Sequence, residues 1–196
     1  WNSSADGFET GNIAGSLVLL ATETASSSAT INFTDNIDDT YDSYLFKFIN
    51  CHASNADVIF QFNMSIDGGS NYNVTKTTTD FVAYHREDDG DTNFDYYDSS
   101  DLAQSTSDQY LHVIADLQGI NNDDNIAGEM RLFNPSSTVF VKHFMVNTIF
   151  NSVNVVHCIE SFIAGHGNTT SAINAVQFKM SAGNIDAGVI KMYGVT

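Results

Sequence analysis

The side chains best suited to chemistry fall into a few short groups. Cys51-His52 and His157-Cys158 have the atoms of a zinc site. Neighbouring residues on a strand point to opposite faces, so one metal could draw a single ligand from each pair, and two ligands do not close a structural zinc site. Asp88-Asp89-Gly90-Asp91 has the carboxylates and tight turn that a hard cation such as calcium prefers, and Asp35, Asp38, Asp39 and Asp42 form a second acidic cluster. The first does not meet the EF-hand pattern, because no glutamate closes the loop and the glycine stands at the wrong offset. The expected state of both is a solvated loop, with no metal and no cofactor.

Nucleophilic catalysis is not signalled. No Gly-x-Ser-x-Gly elbow occurs, and neither cysteine has the local context of a catalytic thiol. His52, His85, His112, His143, His157 and His166 mostly fall inside strand-like patterns and read as structural or surface residues. A pair of carboxylates for glycoside hydrolysis needs a separation of about 5–9 Å that a sequence does not display. The expectation is therefore a protein with no catalytic residues, a polysaccharide depolymerase being the enzymatic alternative. The Asn-x-Ser/Thr acceptors at Asn2, Asn32, Asn63, Asn73 and Asn168 carry no signal, because the Asn, Ser and Thr content produces about as many by chance.

Residues 87–104 contain Glu87, Asp88, Asp89, Asp91, Asp95, Asp98 and Asp101 together with Phe94, Tyr96 and Tyr97. Taken as a loop of about 18 residues without a strand of its own, this stretch is long enough to suggest binding or assembly. Tyrosine offers an apolar face with a polar end, so Asp88, Asp89, Asp91, Phe94, Tyr96 and Tyr97 are the candidate partner- or glycan-binding residues. The alternative is that these rings pack on the domain's own sheet.

The chain has 196 residues, a net charge of −17 and only seven Lys and Arg. A uniformly negative field repels phosphate backbones, so nucleic acid is excluded as a partner. No apolar run reaches the roughly 18–20 residues of a membrane-spanning helix, so no membrane is expected. Two cysteines, Cys51 and Cys158, are too few for a disulfide framework; buried thiols are the default and a disulfide is left open.

The elements that position these residues read as strands. Alternation of apolar and polar residues marks 29–34, 44–49, 58–64, 81–85, 109–115, 128–133, 138–149, 153–164, 172–180 and 189–193. Over 107–117 a helical face of Leu111, Ile114 and Leu117 competes with the alternation of Leu111, Val113 and Ala115, and the strand is preferred. Turn-forming clusters separate the strands, and the only proline, Pro135, sits in the turn of a hairpin over 130–145. Residues 121–125 read as a short acidic loop. The expected fold is all-β: an antiparallel, jelly-roll-like β-sandwich of about ten strands. It forms one domain over 1–196, with 1–28 set aside as an N-terminal or attachment arm.

The last segment runs from Ala175 to Gly194 as AVQFKMSAGNIDAGVIKMYG. Its F-x-x-x-x-G-N-I-x-x-G-x-I-x-x-Y-G pattern resembles the C-terminal hairpin of small virion proteins of tailed, notably marine, bacteriophages. Asp39 to Tyr44 (DTYDSY) and Phe133 to Phe144 (FNPSSTVFVKHF) are similar to the same group. The resemblance covers most of the chain from Ala29 onward, and its motifs describe strand and turn chemistry, not a reaction. It implies a β-sandwich on the particle exterior: a capsid decoration (cement) protein, a fibre or a receptor-binding knob, commonly a homotrimer. Its partners would be other virion proteins, the major capsid protein or a fibre base, and a host-surface glycan in the knob case. Phe140, Phe144, Phe150 and Phe162 are the candidates for oligomer contacts.

Overall fold

The computed structural model describes residues 17–112, 120–121, 124–151 and 157–196. Twelve strands follow in order among them: β1 (Leu17–Thr24), β2 (Ile31–Phe33), β3 (Ser43–Ala53), β4 (Phe60–Ser65), β5 (Lys76–Arg86), β6 (Thr92–Tyr96), β7 (Gln109–Tyr110), β8 (Ile126–Phe133), β9 (Lys142–Asn151), β10 (His157–Gly167), β11 (Ala175–Met180) and β12 (Ile185–Val195). They form two antiparallel sheets, one of eight strands in the order β1-β12-β3-β8-β9-β10-β5-β6 and one of four in the order β2-β11-β4-β7. The chain is an all-β sandwich.

Period-two patterning explains which residues face inward. On β9, Lys142, Phe144, Val146, Thr148 and Phe150 are buried while His143, Met145 and Ile149 are exposed. Between the sheets lies an aromatic cluster centred on Phe178 of β11, whose ring centroid is 5.2 Å from Phe48, 5.5 Å from Phe46, 5.9 Å from Phe60 and 6.1 Å from Phe33. Phe62 of β4 extends the cluster to Phe144 of β9 at 5.1 Å. Most of these contacts are edge-on, the geometry that the ring quadrupole favours.

Four expectations change. β6 runs through the stretch taken as an acidic loop, where Thr92, Phe94 and Tyr96 alternate with Asn93 and Asp95 and pair with β5. β1 lies within the stretch set aside as an arm, yet it pairs with β12 along the sheet edge, and Ser28 bridges Ile185. The C-terminal segment is not a hairpin: β11 pairs with β2 and β4 in the small sheet, whereas β12 pairs with β1 and β3 in the large one. The turn between them therefore carries the chain across the core, and Gly183 supplies its left-handed conformation (φ 69°). The strand expected over 109–115 is reduced to β7 among the described residues; 113–119 lie outside them, as do 152–156 ahead of β10, 122–123 and 1–16.

The hairpin over 130–145 is present as β8–β9, with a longer loop than expected before Lys142. Beside it, Gly128 stands at φ 153°, where a Cβ would lie 2.2 Å from the Asn147 carbonyl oxygen. Gly128→Ala is expected to lower unfolding stability by about 1–3 kcal/mol, because backbone rather than a flexible side chain must yield. A urea titration tests this, and an unchanged midpoint would show that the strands do not approach this closely.

Candidate functional site

Ionisable groups occur in two very different settings, the interior and the outer face of the large sheet. The four-stranded sheet is too narrow to cover β5, so the segment after β6 folds beneath it. Thr78 N–H donates to the Leu102 carbonyl at 2.9 Å, and Lys76 exchanges backbone bonds with Ser105 at 2.7 and 2.9 Å. This seals Lys76, Thr78 and Asp80 in the interior. Lys76 Nζ donates to Asn63 Oδ1 at 2.7 Å and the Val74 carbonyl at 2.8 Å, and burial pulls its pKa down to about 8.

Asp80 accepts a bond from Ser100 Oγ at 2.6 Å while its other oxygen has no partner, and burial raises its pKa to about 7. The Thr78 hydroxyl donates to Gln109 Oε1, whose amide donates to the Ser100 and Tyr110 carbonyls. Opposite, His112 accepts the Phe60 N–H at 3.0 Å through Nε2, and burial pushes its pKa down to about 3. Buried at the β8–β9 loop, Lys142 Nζ donates to the Phe140 carbonyl at 2.6 Å. These groups hold backbone and loops in place.

The outer face of the eight-stranded sheet is different. Strand register places Tyr96, Phe81, Phe162, Asn147, Glu129, Lys47 and Lys191 in one row across seven strands. Phe81 and Phe162 stack at 5.1 Å, and Phe94 leans on Phe81 at 5.3 Å. Beside them runs an apolar groove of about 460 Å³ lined by Phe81, Phe133, Met145 and Phe162, with Glu129 and Arg131 at its border. Met145 is 58% exposed and Phe94 65%. Arg131 lies over the Phe133 ring at 5.1 Å and donates to Ser43 Oγ. A second groove of about 490 Å³ continues past His143 and His166, a cross-strand pair whose rings are 6.1 Å apart.

Basic and acidic residues separate towards opposite edges of the large sheet, although Asp95 shares the register of buried Val82 and so lies on the side away from Phe81 and Tyr96. Of the seven basic residues, Lys76 and Lys142 are buried, Lys179 pairs with Asp108 at 2.7 Å and Arg86 with Asp88 at 2.9 Å. The other three, Lys47, Arg131 and Lys191, stand on the outer side of neighbouring β3, β8 and β12, with no ion pair among the described residues. At the opposite edge, β5–β6 and the flanking turns expose Glu87, Asp88, Asp89, Asp91, Asp95 and Asp98.

The candidate residues are thus partly brought together. Asp88 pairs with Arg86 and accepts the Gly90 N–H, Asp89 meets His85 at 3.1 Å, and Asp91 lies 3.5 Å from the Tyr84 hydroxyl. Phe94 and Tyr96 project from β6, the Tyr96 hydroxyl donating to Asp101, whereas Tyr97 is half-buried against the core. Phe140 is exposed at the β8–β9 loop and Phe162 lies on the outer face. Phe144 and Phe150, at 1% and 2% exposure, are core residues and offer nothing to another copy. They stand on the inward register of β9, a side that alternation alone does not identify. Among the described residues no three His, Cys, Asp or Glu converge as metal ligands. Cys51 and Cys158 are both free thiols; Cys51 is buried, which raises its pKa to about 12, and Cys158 is exposed.

Phe81, Phe133, Met145, Lys47, Arg131 and Lys191 were missed as site residues. A signal existed: β5 and β9 carry large apolar residues on both registers, with Phe81 beside Val82 and Met145 beside Phe144. A strand apolar on both sides needs a cover on both sides. A scan against protein-family models finds no match, and searches of curated proteins and of solved structures find none either.

Proposed function

We propose that this chain is a structural protein of a bacteriophage particle's exterior, of the decoration or fibre kind, and that it works by protein–protein binding. The observation that carries this reading is the outer face of the eight-stranded sheet, where stacked aromatics and an apolar groove stand uncovered by any other described residue across the middle of the sheet. Exposed apolar patches of this kind are characteristic of contact surfaces. The particle setting comes from the sequence motifs of the C-terminal segment and of the stretches around Tyr41 and Pro135. The buried polar groups of β5 and β9 suit a rigid scaffold, since each hydrogen bond ties a loop to a strand.

Purified particles of the phage that encodes the chain provide the test. The protein should be present in many copies by quantitative mass spectrometry and accessible to antibody on intact particles. Its absence from particles would remove the reading.

Phe94 and Tyr96 favour a second reading, a glycan-binding knob, because both rings are exposed beside carboxylates that can accept sugar hydroxyls. Phe94→Ala should then reduce binding to a host-surface glycan by tenfold or more. A glycan array that returns no ligand for the unaltered protein would count against it.

A further inference from the structure

We propose that His143 and His166, opposed across β9 and β10 on the outer face, form a binding site for one transition-metal dication of the zinc, nickel or copper class. Strand register sets the two residues directly opposite each other. Their Cβ atoms therefore leave the same side of the sheet about 4.5–5.5 Å apart. The ring centroids lie 6.1 Å apart, with the ring planes at 51°. Metal–nitrogen bonds of about 2.0–2.1 Å place two ligating nitrogens roughly 3–3.4 Å from each other. Both rings stand off the core, His143 exposed and His166 half-buried. Side-chain rotation, which is broad at χ2 in histidine, brings them onto one ion without moving a strand.

The nitrogens of this pair are free to ligate. Among the described residues neither ring has a hydrogen bond or an ion pair, whereas the other histidines are engaged or sealed. His52 meets the Asn121 carbonyl at 3.0 Å and His85 meets Asp89 at 3.1 Å. His112 accepts the Phe60 N–H in the core, and the ring nitrogens of His157 are buried. Ligand type selects the metal: imidazole suits zinc, copper and nickel, whereas calcium and magnesium require oxygen ligands. Two protein ligands leave further positions to water or to a group on another molecule. Such a group would arrive along the groove of about 490 Å³ that both rings line. The net charge of −17 concentrates cations around the chain.

The test is calorimetric titration of nickel chloride into the full chain, carrying no histidine tag. One ion should bind per chain. His143→Asn and His166→Asn should each weaken binding by about tenfold or more, and the double variant little further, because a lone imidazole has lost the effective concentration that a chelate provides. Melting temperatures without metal should be unchanged, since neither ring belongs to the core. Where His166→Asn perturbs the fold, His143→Asn at the exposed position decides. Zinc should displace nickel, and an excess of calcium should not. Cys158, an exposed thiol opposed to His85, is the competing ligand, so Cys158→Ser should leave nickel binding as it is.

Absence of nickel binding at millimolar concentration, binding that survives His143→Asn, binding lost with Cys158→Ser, or displacement by calcium would each overturn the inference. None of these outcomes bears on the proposed function, which stands or falls on the composition of the particles.

Discussion

Replacing Phe178 by alanine is expected to lower unfolding stability by about 3–5 kcal/mol, which can consume most of the 5–15 kcal/mol typical of a domain. Phe178 is fully buried on β11, and Phe33, Phe46, Phe48, Phe60 and Phe62 all place ring centroids within 6.4 Å of it. Removing the ring therefore costs its transfer from water and leaves a void between rings held by three other strands, β2, β3 and β4. These strands belong to both sheets, so collapse into the void would require the sheets to move together. Urea unfolding followed by circular dichroism measures the loss. A cost below about 1.5 kcal/mol would mean that the core is not organised around this ring.

Asp80→Asn is expected to stabilise the protein at alkaline pH, and by an amount that grows with pH. A carboxyl whose folded pKa is raised to about 7 favours folding when protonated. That contribution is fully present below the unfolded value near 4 and is lost as pH rises through 7. Three pH units correspond to on the order of 4 kcal/mol. Asparagine keeps an acceptor for Ser100 Oγ and cannot ionise, so the stability difference between variant and unaltered protein should widen from pH 4 to pH 8.

His112 acts in the opposite direction. Its folded pKa is depressed to about 3, so its contribution is present above 6.5 and is lost as pH falls towards 3. The two windows overlap between about 4 and 6.5, where the opposing slopes offset each other in the unaltered chain. With Asp80 replaced, the His112 slope stands alone and stability should rise with pH across that interval. Parallel pH profiles for the two proteins would show that Asp80 titrates normally and is not sealed beneath the segment after β6.

Much of the fold was legible from the sequence, and the places where it was not share a cause. β3, β5, β8 and β9 each fall on an alternating run, because a half-buried strand imprints a period of two, and β4 also alternates in sequence although all its residues are buried. β6 was legible in principle, as Thr92, Phe94 and Tyr96 alternate, but the density of Asp and Asn around it resembled a loop. An edge strand has solvent on one side and tolerates such residues. β1 is nearly continuous in apolar residues and shows no alternation, again at an edge. The candidate site was legible only at its acidic end. Its basic end is made of Lys47, Arg131 and Lys191, which are 60 or more positions apart along the chain and meet only because β8 and β12 flank β3.

Sequence alone determined the class of fold, the positions of most strands and the lack of a basic stripe along the chain, because these follow from local patterning and from charge. Tertiary structure decided which strand pairs with which. The same alternation suits any antiparallel neighbour, and the Gly183 turn serves a hairpin or a crossing between sheets equally well. It also decided that Lys76, Asp80 and His112 lie inside while Phe81 and Met145 lie outside. Burial of a side chain depends on what covers its strand, and here that cover comes from segments remote in sequence.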